Sequence, residues 1–174
     1  MGPRKSLARR KAKELLAAGK VKAPPVPVEH LAGLAGAQIR YEPFPGELSG
    51  MVHRYPHGSA VVGVNSLHPI ARQRFTVAHE LADLLLHNNE QFHVDEKSLI
   101  GLRTEVSGRA IDDNEIEANQ FAAELLMPFD LLIQEIRKLP RDIGAEDAIA
   151  KLAERFQVSE QAMTFRLSGL GILK

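Results

Sequence analysis

The stretch Arg72–His87, RQRFTVAHELADLLLH, constrains this chain more than any other. It is an apolar run at helical spacing with an adjacent His79–Glu80 pair in its middle and Asp83 one turn later. Phe75, His79, Ala82, Asp83 and Leu86 fall on one stripe, so the His79/Asp83 edge should point inward or along the floor of a cleft. The pattern is one residue away from H-E-x-x-H, in which two imidazoles on one helix face hold zinc and the glutamate between them acts as a base. Asp83 stands where the second histidine would be.

The chain has 174 residues, enough for one domain with a good core and short for two. It contains no cysteine, which excludes disulfides, thiolate nucleophiles and Cys-based zinc sites. Any metal must be held by His, Asp, Glu or water. No apolar run reaches the length of a membrane span. The basic N-terminus has no apolar segment after it, so a secretory leader is not expected and a cytoplasmic location is. Net charge is zero, but residues 1–22 carry Arg4, Lys5, Arg9, Arg10, Lys11, Lys13, Lys20 and Lys22 against Glu14 alone. Such an arm can touch nucleic acid, though a solvated helix face is the plainer expectation.

Periodicity places a helix over Ser6–Ala18, stopped by Gly19, then a proline-rich joint and a short helix over Val28–Ala35. Strand-like runs follow at Gln38–Phe44, Leu48–Tyr55 and Ser59–Val64, the last two forming a hairpin around Pro56-His57-Gly58. Asn65-Ser66 is expected to cap the His79 helix, which should run from Pro69 to His87, with Asn88 and Asn89 as stop residues. Residues 90–112 lack periodicity and predict a long loop. Helices are expected at Asp113–Met127, Phe129–Leu139, Ala145–Phe156 and Ser159–Leu167. The fold class is α+β: mainly helical, with a small antiparallel three-stranded sheet packed against the His79 helix.

Paired ligands on a helix take i,i+4 spacing because those side chains lie over one another, and His79 and Asp83 have it. Glu80, beside the first ligand, is the expected base. A third ligand should come from a second helix. In EIEANQFAAELLMP, Glu115 shares a face with Ala118, Asn119, Ala122 and Leu125, whereas Glu117 lines up with Gln120 and Glu124 on a stripe expected to be solvated. Glu115 is therefore the expected third ligand. A first-turn acid favoured by the helix dipole is its alternative reading.

Together, RQRFTVAHELADLLLH and ExxANxFAAELLMP resemble the ImmA/IrrE family of metallo-endopeptidases. The likeness extends to the proline joint before Val28, Leu48-Ser49-Gly50, Val64-Asn65 and LAERFQVSEQAMTFRL. It implies a mainly helical fold with a small sheet and a zinc site of gluzincin type, with His79 as first ligand, Glu80 as base and Glu115 as third ligand. It also implies cleavage of a protein partner, commonly a helix-turn-helix repressor of phage, mobile-element or stress-response genes. Residues 1–128 would form the metallopeptidase-like domain and 129–174 a helical subdomain packed on it.

Asp83 departs from the family pattern, and three outcomes follow. Asp83 ligates directly, giving an oxygen-rich set that also suits the harder Mn²⁺. His87 assists, although it lies two turns from His79, and a surface position at the helix end is the plainer expectation for it. Or the metal is lost and the fold serves as a regulatory binding protein. Candidates for stabilising an oxyanion are Tyr41, His53, His57, His93 and Arg103, with none preferred. At the C-terminus, Gln161, Thr164 and Arg166 lie on a segment shaped like the second helix of a helix-turn-helix. Core packing through Ala162, Met163, Leu167 and Leu170 is the stronger expectation there.

Overall fold

The helix bearing His79 is the centre of the molecule. A computed structural model describes residues 2–87, 113–140 and 144–173 with their side chains, and 92–95 as backbone. In chain order the elements are α1 (Lys5–Ala18), α2 (Val28–Leu34), β1 (Ala37–Glu42), β2 (Gly50–Arg54), β3 (Ala60–Asn65), α3 (Ile70–Leu86), β4 (Phe92–Asp95), α4 (Asp113–Leu126), α5 (Phe129–Ile136), α6 (Ala145–Phe156) and α7 (Glu160–Gly169). Every residue of α3 from Arg74 to Asp83 is buried. The sheet covers one side of this helix, α4 another, and α2 a third.

The α+β, mainly helical class is as expected. The sheet is larger and more mixed than the expected three antiparallel strands: its order is β1-β3-β2-β4. The β2–β3 hairpin is antiparallel, as the Pro56-His57-Gly58 signal predicts, and β4 adds an antiparallel partner to β2. β1 instead runs parallel to β3, from Ala37 opposite Ala60 to Glu42 opposite Asn65. A short strand thus lies inside the stretch expected to be loop, because main-chain pairing with β2 needs no hydrophobic alternation. The remainder of 96–112, and the stop residues Asn88 and Asn89, lie outside the described residues.

Parallel pairing requires the chain to cross over β3 between β1 and β2. Gly63 makes room for that crossing, since a Cβ there would meet the ring of Phe44 at 3.0 Å. Asn65 fastens it, donating from Nδ2 to the carbonyl of Leu48 at 2.8 Å and, more weakly, to that of Phe44 at 3.3 Å. Its side chain also accepts from the Leu67 amide, so Asn65 organises two loops rather than capping α3. That helix begins directly after Pro69, with no side-chain cap.

On the other side of α3, α4 is held between α3 and α1. Ala8, Ala12, Leu15 and Leu16 of α1 are buried, so the N-terminal helix contributes an apolar face as well as a basic one. α7 begins at Ser159, whose hydroxyl accepts from the Ala162 amide. Ala162, Met163 and Leu167 are buried in the core, as expected from packing. Arg166, a candidate DNA contact by sequence, is buried and donates to the carbonyl of Met127 and the carboxylate of Glu124. Among the described residues no helix is long and apolar enough to cross a membrane.

Candidate active site

α3 carries His79, Glu80 and Asp83 into the interior together. The His79 ring is fully buried, and neither ring nitrogen has a hydrogen-bond partner among the described residues. Burying imidazole nitrogens without partners costs free energy, so such a ring points to a ligand. Its Nε2 faces two carboxylates: Asp83 Oδ2 at 3.8 Å on the same helix and Glu115 Oε2 at 3.7 Å on α4. Both are too long for hydrogen bonds.

A divalent ion with bonds of about 2.0–2.2 Å holds neighbouring ligand atoms roughly 3.4 Å apart in a tetrahedron. The observed separations of 3.7 and 3.8 Å are slightly wider. Among the described residues no three of His, Asp and Glu already meet as a finished set; the contacts form two pairs that share His79. The donor chemistry and the partnerless imidazole therefore fit a divalent cation.

Glu80 is fully buried and turned toward the first residue of β2. A Cβ on Gly50 would lie 3.0 Å from Glu80 Oε1 and 2.4 Å from Thr76 Cγ2. Glycine at that position is what lets the strand approach the helix so closely.

Two sequence expectations fail here. Periodicity puts Glu117 on a solvated stripe and Glu115 on the buried face, but the Glu117 side chain is 3% exposed and that of Glu115 39%. The reason is α1, which covers the supposedly solvated side of α4 and supplies a cation. Glu117 accepts from the Arg4 backbone amide at 2.6 Å and from its guanidinium at 2.9 and 2.8 Å. The Arg4 guanidinium holds the Glu117 carboxyl down at about 2, against the burial that alone would raise it.

His87 is likewise not a surface residue. Its Nδ1 lies 2.7 Å from Asp83 Oδ1 and its Nε2 lies 3.1 Å from Glu117 Oε2. Burial lowers its pKa, but the hydrogen bonds to Asp83 and Glu117 outweigh that and raise it above the ordinary value. Arg54, from β2, donates to the carbonyls of Asp83 and His87 and so fixes the last turn of α3. Sequence reasoning sees Arg4 only as part of a basic arm and Glu117 only as a solvated acid, and it misses Arg54. His87 has a visible signal, since it stands four residues beyond Asp83. Tyr41 and His57 are taken up elsewhere, by Glu29 and Ser59 respectively. His53 stacks edge-on with Tyr55. The side chain of His93 and all of Arg103 lie outside the described residues.

A buried His-Glu pair on α3 thus faces an acidic residue of α4, beside a small sheet. The family model for Peptidase_M78, the IrrE N-terminal-like domain, matches residues 32–168, and the chain belongs to that family. In fold it is similar to a Mycobacterium tuberculosis transcriptional regulator, with a TM-score of 0.57 and 18% identity over 92% of this chain. The chain spans 46% of the length of that regulator. No curated protein matches it.

Proposed function

We propose that this chain is a metal-dependent endopeptidase that cuts a specific protein partner. In this reading His79, Asp83 and Glu115 hold Zn²⁺, or the harder Mn²⁺, and Glu80 is the base. The observation that carries it is the His79 ring, buried with no hydrogen-bond partner among the described residues and facing two carboxylates. Membership of a peptidase family supports it. The ion, when bound, would supply Lewis acidity toward a water and the scissile carbonyl. Glu80 would accept the proton of the attacking water and return it to the leaving amine. Burial of Glu80 keeps bulk water from competing for its carboxylate.

The substrate we propose is a helix-turn-helix transcriptional repressor, met in the cytoplasm. The likeness to a transcriptional regulator is compatible with a partner in gene control. Residues 129–174 would act with the preceding part as one unit, through the Arg166–Glu124 contact. The test is incubation with a repressor encoded nearby, with and without Zn²⁺ or Mn²⁺. Glu80→Gln should cut at least about 100-fold more slowly than the native protein, the lower range for loss of a general base. Equal cleavage by both proteins removes Glu80 from the mechanism.

A second reading is a non-catalytic binding protein on the same scaffold. The pairing of Asp83 with His87 at 2.7 Å favours it, because one oxygen of the replacement residue is already engaged. Metal analysis separates the two. Less than about a tenth of an equivalent after adding either ion supports the binding protein.

A further inference from the structure

Asp83 is shorter than the histidine it replaces in the family pattern, and an aspartate carboxylate rotates with little restraint. In this chain its two oxygens are differentiated. Oδ1 is held by His87 Nδ1 at 2.7 Å, while Oδ2 faces His79 Nε2 at 3.8 Å. The far side of the His87 ring is held in turn, Nε2 contacting Glu117 Oε2 at 3.1 Å. Glu117 is itself fixed by three hydrogen bonds from Arg4. The result is a continuous line of contacts, Asp83–His87–Glu117–Arg4, from the last turn of α3 to the start of the basic N-terminal helix.

We propose that His87 is a positioning residue for the metal centre: its Nδ1 hydrogen bond fixes the Asp83 carboxylate with Oδ2 turned toward His79. The inference rests on the metal-centre reading above and adds to it a residue outside the ligand set. An aspartate carboxylate oxygen accepts, so Nδ1 is the donor in the contact with Asp83. Glu117 and Arg4 act one step further out, holding the ring in the plane that lets Nδ1 reach Asp83. Partners of this kind orient ligands and typically contribute about 10–100-fold in metal affinity.

Two near-isosteres separate the ends of the ring. The amide nitrogen of asparagine falls near Nδ1, and that of glutamine near Nε2. His87→Asn therefore keeps the donor to Asp83, whereas His87→Gln keeps the donor to Glu117. Zn²⁺ and Mn²⁺ affinities are measured by titration calorimetry for the native protein, both variants and His87→Ala, together with the melting temperature of each metal-free form. The expected result is a loss of about 10–100-fold for His87→Gln and His87→Ala, with His87→Asn within about threefold of native. In an Asp83→Ala background, His87→Gln should cause no further loss. The inference is overturned if His87→Gln binds metal as tightly as native, or if His87→Asn falls as far as His87→Ala. It is also overturned if affinity merely follows the metal-free melting temperature across the series. A native protein that takes up neither ion overturns both this inference and the reading beneath it; the other outcomes leave that reading standing.

Discussion

Gly50 shows how much one missing methyl group can decide. Its Cα lies against Thr76 and Glu80, and any Cβ would come within 2.4 Å of the Thr76 methyl. Helix and strand cannot both keep their places. Gly50→Ala is therefore expected to destabilise the fold by about 1–3 kcal/mol, the usual cost of overpacking, measurable as a lowered denaturation midpoint. It should also displace the Glu80 carboxylate, so cleavage would fall by more than the stability loss explains. A variant with native stability and native activity would show that the contact is not tight. In the sequence, Leu48-Ser49-Gly50 is visible as the start of a strand-like run and as part of a family likeness. Its physical reason, a strand abutting a buried glutamate, emerges only with the two elements in place.

At the scale of elements, α4 carries the sharpest lesson. Its three glutamates serve different neighbours: Glu115 faces His79, Glu117 binds Arg4 and His87, and Glu124 binds Arg166. Amphipathic periodicity assumes one wet side, and α4 has little of one because α1 and α3 press on it from two directions. The helix boundaries, by contrast, are legible to within a few residues, since prolines and glycines mark them locally. The closeness of Asp83 to His79 is legible from i,i+4 spacing, whereas Glu115, which does lie 3.7 Å from His79, is singled out in the sequence by a burial argument that α1 reverses. The contacts of Glu117 with His87 and Arg4 are not legible, because they bridge 30 and 113 positions. Glu124–Arg166 offers a test. Both side chains are nearly inaccessible, and Arg166 Nη2 lies 2.7 Å from Glu124 Oε2. Arg166→Ala should cost about 3–5 kcal/mol by stranding a buried carboxylate. Glu124→Leu combined with Arg166→Met replaces the pair by apolar side chains of similar volume and should be nearly neutral. Urea denaturation distinguishes these, and a mild effect of the single change would mean that water reaches Glu124.

For the whole molecule, the described part of the sheet packs chiefly against α2 and α3, so the chain is assembled around its most constrained segment. The crossing of Phe44 over Gly63, pinned by Asn65, also sets an order of events. The β2–β3 hairpin closes through a short local turn, and such closures take microseconds. β1 has no partner until β3 exists, and its link to β2 can pass over β3 only once that strand is laid down. Non-local pairing of this kind forms late because chain closure must precede it. In pulsed hydrogen exchange during refolding, amides bonded between β2 and β3 should gain protection before those between β1 and β3. Simultaneous protection would mean that the crossing is not a constraint. If the order holds, a nascent chain has its hairpin formed while Ala37–Glu42 still hangs loose, and for that interval the open flank of β3 is a template that another chain's extended segment could occupy.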